Sequence, residues 1–314
     1  MPTPSEPTLR GEWAPRTNTP KRSVFGNYRA ADTSSSGRES SQAPLPDNQG
    51  RLTTAAPEER SSLQTSINLA IARSFIHRLL AKAFEDPTPA SWQWLTDPPT
   101  VASLRSAAGQ LETPVQASVE LLLSAFALDT SESFLDAYLA AFGHAARGSC
   151  PLNEIEYGDI KADPLFQPHR LADLAAFYRA FGLEVASDAG ERHDHICLEL
   201  EFMCVLAAKE AYAQENQLDT DELALCRDAQ KKFLREHLGR WTPAFTRRLA
   251  AATNNPVLSA LAEFVRAFVQ SECARFGVNA GSEDLLLRPV DETADRMCES
   301  CGIANLPPGA LATA

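Results

Sequence analysis

The chain has 314 residues, with 29 Lys and Arg against 41 Asp and Glu, for a net charge of −12. Eight of the basic and seven of the acidic residues fall in positions 1–60, so the remainder carries about −13. That balance argues against a nucleic-acid binder, whose affinity comes from Lys and Arg neutralising phosphates, and it fits either a cationic partner such as a basic peptide or simple solubility.

Residues 1–60 hold 8 of the 21 prolines, many Ser and Thr, and no apolar periodicity. Such a segment buries too little apolar surface to offset its ordering entropy, and a disordered arm is expected. It lacks the apolar core of a secretory signal, and no later stretch supplies the roughly 18 uninterrupted apolar residues of a membrane span. The expectation is a soluble, cytoplasmic protein without membrane insertion.

From residue 61 the apolar spacing is helical almost throughout. Ile67, Ile71, Phe75 and Leu79 form the ridge of a first helix, stopped by Asp86 and Pro87, and a short helix follows around Trp92–Leu95. Pro114 starts a stretch through Val115, Val119, Leu122, Leu123 and Phe126, and Ser131 another through Phe134, Tyr138 and Phe142, ending near Gly143. Residues 148–164 (GSCPLNEIEYGDIKADP) predict a long irregular connection, the kind of loop that often carries function.

Beyond it the pattern predicts a helix over Arg170–Phe181 with Gly182 after its end, then one over Glu191–Ala213. A helix from about Thr220 to Leu238, a break at Trp241/Pro243, a short helix over Pro243–Ala251 and a last long one over Pro256–Phe276 complete the series. The expected organisation is therefore a disordered arm (1–60), one all-α domain (61–280) and an irregular tail (281–314).

The segment ERHDHICLELEFMCVLAAKE, Glu191 to Glu210, is apolar on nearly every side except at its start. Glu191, His195 and Glu199, spaced i, i+4, i+8, would form a polar stripe on this helix. Carboxylates rarely enter such a helix unpaired, because desolvating a charge costs several kcal/mol, of the order of a domain's whole stability margin (about 5–15 kcal/mol). The partner is therefore the question: a ligand, or an arginine of the same chain such as Arg179.

Three blocks in order resemble the TorD/DmsD/NarJ family of redox-enzyme maturation chaperones. YLAAFGHAARGSCPLNEIEYG (Tyr138–Gly158) is similar to a family segment in which a Phe-Gly turn leads to Cys-Pro or Pro-Pro and then Glu-x-x-Tyr. Leu171–Glu210 resembles the family's helix, short loop and Asp-His helix start, and FLREHLGRWTPAFTRRL (Phe233–Leu249) its His-Leu…Trp…Phe block. Asn153 stands where an aromatic is common, and Arg192-His193 where some members carry Pro and an acid. The resemblance implies an all-helical TorD-like bundle that is not an enzyme and holds no cofactor. The partner it implies is the apo catalytic subunit of a molybdenum-cofactor oxidoreductase, bound through its N-terminal twin-arginine signal peptide and held until cofactor insertion. The chaperone itself would be a monomer or a homodimer.

On these blocks Asp194 and His195 match the family's recognition pair, and a carboxylate beside an imidazole suits a guanidinium; Asp194 as a helix-start residue is the alternative. Glu191 and Glu199 extend that stripe. Glu154 and Tyr157 match Glu-x-x-Tyr, although a Tyr there can simply bury its ring and bond a backbone carbonyl. Asp173 and Tyr178 belong to the facing helix, and Trp241 either plugs a helix junction or grips apolar peptide residues.

A helical metal-binding or redox-sensing protein is the alternative function. His193, His195 and Cys197 supply three ligand types, but i and i+2 diverge by about 200° on a helix. Cys298 and Cys301 form a lone CxxC without the two further ligands of a zinc site. The other cysteines, Cys150, Cys197, Cys204, Cys226 and Cys273, read as reduced, small apolar residues. No GxGxxG, Walker, GxSxG or HExxH signature is present.

Overall fold

The computed structural model describes residues 57–143, 148–158, 166–186 and 190–288. The expected arm, up to residue 56, and the Cys298/Cys301 pair lie outside the described residues. Among these the fold is all-α: α1 (Pro57–Ala83), α2 (Pro89–Thr96), α3 (Pro98–Ala108), α4 (Thr113–Phe126), α5 (Ser131–Phe142), α6 (Phe166–Ala180), α7 (Ile196–Glu215), α8 (Thr220–Glu236), α9 (Leu238–Ala252) and α10 (Pro256–Arg275). A 3-10 turn, Glu154–Glu156, interrupts the connection between α5 and α6.

Local chemistry sets most of these boundaries. Thr88 and Ser91 close a capping box on α2, Thr130 caps α5, and Asn255 accepts from the Val257 and Leu258 amides at α10, each satisfying amide donors that a helix start leaves orphaned. Helix α3 is absent from the reading of apolar spacing because its buried face is mostly small (Thr100, Leu104, Ala107, Ala108). Its signal is Asp97-Pro98-Pro99, with Asp97 accepting from the Thr100 amide at 2.8 Å and proline in the first turn.

The expected break at Trp241/Pro243 is corrected: both lie inside α9. Pro243 has no amide to donate to the Gly239 carbonyl one turn back, which would ordinarily open the helix. The Gly281 amide fills the vacancy at 2.9 Å. Only glycine fits there, since a Cβ at 281 would sit 1.9 Å from the Arg240 carbonyl oxygen.

The most extensive packing is α1 against α7, followed by α10 against α9 and α4, with α8 laid on α7. At the centre is Arg73 of α1, 1% exposed. Its Nε and Nη2 donate to Glu272 of α10 at 2.7 and 2.6 Å, Nη1 to Glu210 of α7 at 2.8 Å, and Nη2 also to Gln230 of α8 at 2.5 Å. Arg227 donates to the other Glu210 oxygen at 2.8 Å, and His77 Nε2 lies 3.2 Å from Glu272. Burial would raise the Glu272 pKa, but the Arg73 charge and the bonds from His77 and Arg73 outweigh it and hold it down to about 2.

Replacing Arg73 by Met leaves Glu272 and part of Glu210 uncompensated, and a loss on the order of 3–5 kcal/mol in chemical denaturation is expected. The double replacement R73M/E272M should recover more than half of that loss, because it removes the stranded charge as well. A loss below about 1 kcal/mol for R73M would show that the network is replaceable by packing alone.

Candidate functional site

The site is built where the 148–158 connection crosses the start of α7. Two backbone bonds fasten it: the Glu154 amide donates to the Asp194 carbonyl and the Ile196 amide to the Leu152 carbonyl, both at 2.9 Å, around an antiparallel bridge between Asn153 and His195. Glu154, Ile155, Glu156 and Tyr157 are consequently all buried although they lie in a connection rather than a helix.

The sequence reading placed Glu191, His195 and Glu199 on one helical stripe, and the structure corrects this. Helix α7 starts at Ile196, with His195 as its N-cap and Glu191 in the partly exposed turn before it. The cap is the His195 ring, whose Nδ1 accepts from the Cys197 amide at 3.3 Å. That role needs a neutral imidazole. Burial, which outweighs the neighbouring Asp194 charge, supplies one by lowering the His195 pKa to about 4.

Asp194 is fully buried and has partners within its own chain. Arg192 grips it with two parallel bonds, Nε to Oδ1 at 2.9 Å and Nη2 to Oδ2 at 2.7 Å, while the Ile155 amide (3.1 Å) and the Asn153 side chain (3.2 Å) also donate to it. Arg192 Nη1 reaches Glu156 at 3.2 Å as well. Glu154 is likewise held by partners of its own chain: Arg170, Arg240 Nη2 at 3.1 Å, and His237 Nδ1 at 3.0 Å. Burial alone would raise the Glu154 pKa, but the bond from His237 and the charges of His237, Arg170 and Arg240 keep it well below the usual carboxylate range.

The arginines were not legible as partners, although one flanks or lies within each of the relevant segments: Arg170 at α6, Arg192 before Asp194, Arg240 beside Trp241. They differ from the acids in exposure. Arg170, Arg192 and Arg240 keep 19%, 34% and 30% of their side-chain surface in solvent, over carboxylates that are 0–3% exposed.

Glu199 behaves differently. It is fully buried, Trp241 Nε1 donates to its Oε2 at 3.1 Å, and no arginine bonds it; its Oε1 has no hydrogen-bond partner among the described residues. Burial first, then the nearby Glu154 charge, push its pKa well above the ordinary carboxylate value and favour the protonated form. The suggested Arg179 partner is on the exposed side of α6, bonded to the Ala175 carbonyl.

Tyr157 stacks its ring 5.0 Å from Trp241 and donates its hydroxyl to the Pro151 carbonyl at 2.7 Å, and Tyr178 donates to the His193 carbonyl at 2.8 Å. Of the nine residues singled out from the sequence, Glu154, Tyr157, Tyr178, Asp194, His195, Glu199 and Trp241 thus form one connected cluster. Glu191 lies at its partly exposed rim, and Asp173 sits exposed on α6 with no bond to the cluster. The metal reading of His193, His195 and Cys197 finds no support, since no three such ligands converge among the described residues.

The Glu199 protonation has a checkable sign. A raised folded-state pKa stabilises the fold fully below pH 4.5, and the benefit is lost as pH rises above that value. E199Q keeps an uncharged acceptor for Trp241, so its stability relative to the native protein, followed from pH 5 to 8, should grow as pH rises, by at most about a factor of ten in the folding equilibrium per pH unit. Parallel curves for the two proteins in denaturant titrations across that range would show Glu199 to be ionised.

Comparison with known proteins places this arrangement. A family model described as "Nitrate reductase delta subunit" matches residues 108–247. The "Perchlorate reductase assembly chaperone protein" of Dechloromonas aromatica (strain RCB) is 28% identical over 208 residues, 65% of this chain and 90% of the relative. The "Selenate reductase assembly chaperone protein" of Thauera selenatis is 32% identical over 153 residues, 47% of this chain and 76% of the relative. "Chaperone protein TorD" of Vibrio cholerae serotype O1 (strain M66-2) is 26% identical over 147 residues, 46% and 61% of the two chains. The matched span runs through the crossing connection, α7 and the start of α9, and the chain belongs to the TorD/DmsD/NarJ family of redox-enzyme maturation chaperones.

Proposed function

We propose that this protein is a cytoplasmic assembly chaperone for the catalytic subunit of a molybdopterin-dependent oxidoreductase. In this reading it binds the client's N-terminal twin-arginine segment at the junction of the 148–158 connection, the α7 start and the α9 start, and it holds the apo form for cofactor insertion. Relatives named as chaperones of perchlorate, selenate and chlorate reductase assembly support the client class. No helix among the described residues is long and apolar enough to cross a membrane.

The observation that carries the peptide-binding reading is the set of partly exposed arginine side chains, Arg170, Arg192 and Arg240, seated on buried Glu154, Glu156 and Asp194. The carboxylates have already lost their water, so a leader arginine that replaces one of these groups meets no new desolvation of the acid. The departing guanidinium needs only to complete its hydration. Leaving a buried acid bare would cost several kcal/mol, about 3–5, so the exchange must be concerted. Asp194, Glu154, Glu156 and His195 then form the arginine-facing part. Tyr157, Tyr178 and Trp241 frame it, Glu199, whose burial favours the uncharged form, supplies polarity, Glu191 adds negative potential at the rim, and Asp173 adds it from the exposed face of α6. The body charge of about −13 accelerates encounter with a basic leader.

Release follows from differential affinity: the mature, folded client presents its leader less favourably than the apo form, and only such a difference shifts the equilibrium. A synthetic 20-residue peptide with Ser-Arg-Arg followed by a leucine–alanine run, titrated calorimetrically at low salt, should bind. The Gln-Gln version should bind at least tenfold more weakly. E156Q/D194N should weaken binding of the arginine peptide by at least tenfold, and a change below threefold would remove these residues from the site.

A further inference from the structure

The segment after α10 returns to the candidate site. Gly277 turns the chain with φ +60°, and the Gly281 amide docks on the Gly239 carbonyl freed by Pro243. From there the chain turns at residues 283–284 beside the second half of α9, with Asp284 paired to Arg247 and the Leu285 carbonyl accepting from Arg248 at 3.3 Å, and residues 285–288 continue as a strap. The strap ends against the 148–158 connection. The Gly158 amide donates to the Leu286 carbonyl, and the Arg288 amide donates to the Glu156 carbonyl, both at 2.9 Å, around an antiparallel bridge between Tyr157 and Leu287. Side chains alternate as on a strand: Leu285 and Leu287 are partly buried against the core, while Leu286 is 65% exposed.

Three properties make this contact an occupied site rather than a fixed strand. The pairing consists of one bridge and two backbone bonds, which fall short of the three-stranded arrangement that is stable alone. Its composition, Leu-Leu-Leu-Arg, combines an apolar run with an arginine, the chemistry of the leader proposed above. The arginine fits imperfectly: Arg288 Nη1 is buried without a hydrogen-bond partner among the described residues, beside a connection that carries Glu154 and Glu156.

We propose that the backbone edge of Glu156–Gly158 is a strand-addition surface for the extended apolar, arginine-bearing segment of the client leader, and that residues 285–288 are its built-in occupant. The leader displaces the strap by pairing with the same Gly158 amide and Glu156 carbonyl, so no backbone group of the connection is left unsatisfied during the swap. Because the strap is tethered a few residues from its Gly281 anchor, it competes at an effective concentration in the millimolar range. Weak segments are thereby excluded and only a leader with better arginine contacts takes its place. This inference rests on the leader-binding reading above.

The test uses the full chain, the Ser-Arg-Arg peptide and amide hydrogen exchange. In wild-type protein saturated with peptide, the Arg288 amide should exchange at least tenfold faster than in free protein, while the Gly158 amide keeps its protection. L287S, which weakens the strap's packing and changes no residue of the connection, should bind the peptide at least threefold more tightly. Peptide binding with the Arg288 amide still protected overturns the displacement proposal and leaves leader binding standing. Failure of the peptide to bind either protein overturns the leader reading and this inference with it. The exchange measurement on wild-type protein decides the matter even where L287S folds poorly.

Discussion

A guanidinium buried at 1% exposure among four helices is costly unless its nitrogens are engaged, and all three nitrogens of Arg73 are bonded in this arrangement of α1, α7, α8 and α10. The bonds to Glu272, Glu210 and Gln230 are directional, so sliding α1 by a turn along α7 would strand both buried acids. Apolar packing between α1 and α7 is extensive but tolerant of small shifts, whereas the ionic network is not. Everything at the candidate site inherits this registration: the start of α7 receives the 148–158 connection, and the end of α10 launches the chain that returns to it.

The same pair of chemical groups is used in two ways within one bundle. Around Arg73 the guanidinium and the acids are both out of solvent, so none of them can leave without opening the packed helices. Around Glu154, Glu156 and Asp194 only the acids are buried, and their guanidinium partners face water on one side. The difference lies in placement, since Arg73 comes from the middle of a long packed helix, whereas Arg192 precedes α7 and Arg240 stands in the first turn of α9. Glu199, equally buried but without an arginine, is pushed by that burial toward its protonated form.

Helix existence was legible in the sequence because amphipathic spacing and caps act locally. Pro98–Ala108 escaped because alanines and threonine give a weak apolar stripe, and the start of α7 was placed five residues early because Glu191 and His195 fall in helical register by coincidence. Pro243 pointed to a break for a sound local reason, and only a distant residue, Gly281, repairs it. The cluster was legible through the three blocks and their order, which gathered seven of nine chosen residues. What the blocks do not encode is pairing. Arg170 with Glu154 spans 16 residues and Arg240 with Glu154 spans 86, and nothing in spacing distinguishes an acid awaiting a ligand from one already answered by its own chain.

That ambiguity is physical as well as sequential, and exposure is what separates the cases. An acid answered by a fully buried arginine offers a ligand nothing, because displacement would require the arginine to leave through packed side chains. An acid answered by an arginine with a third of its surface in water presents the ligand with a competitor that can leave directly into solvent. The strap extends the same logic from side chain to backbone: Gly158 and Glu156 cannot remain unpaired when buried, so the chain supplies Leu286 and Arg288. A recognition surface for an arginine-bearing, extended segment has to be satisfied while it waits, and the cheapest satisfier is a poor copy of the ligand drawn from the same polypeptide. Pro243 makes this possible by freeing one carbonyl in α9, to which the tail is anchored close enough to cover the surface and loosely enough to yield it.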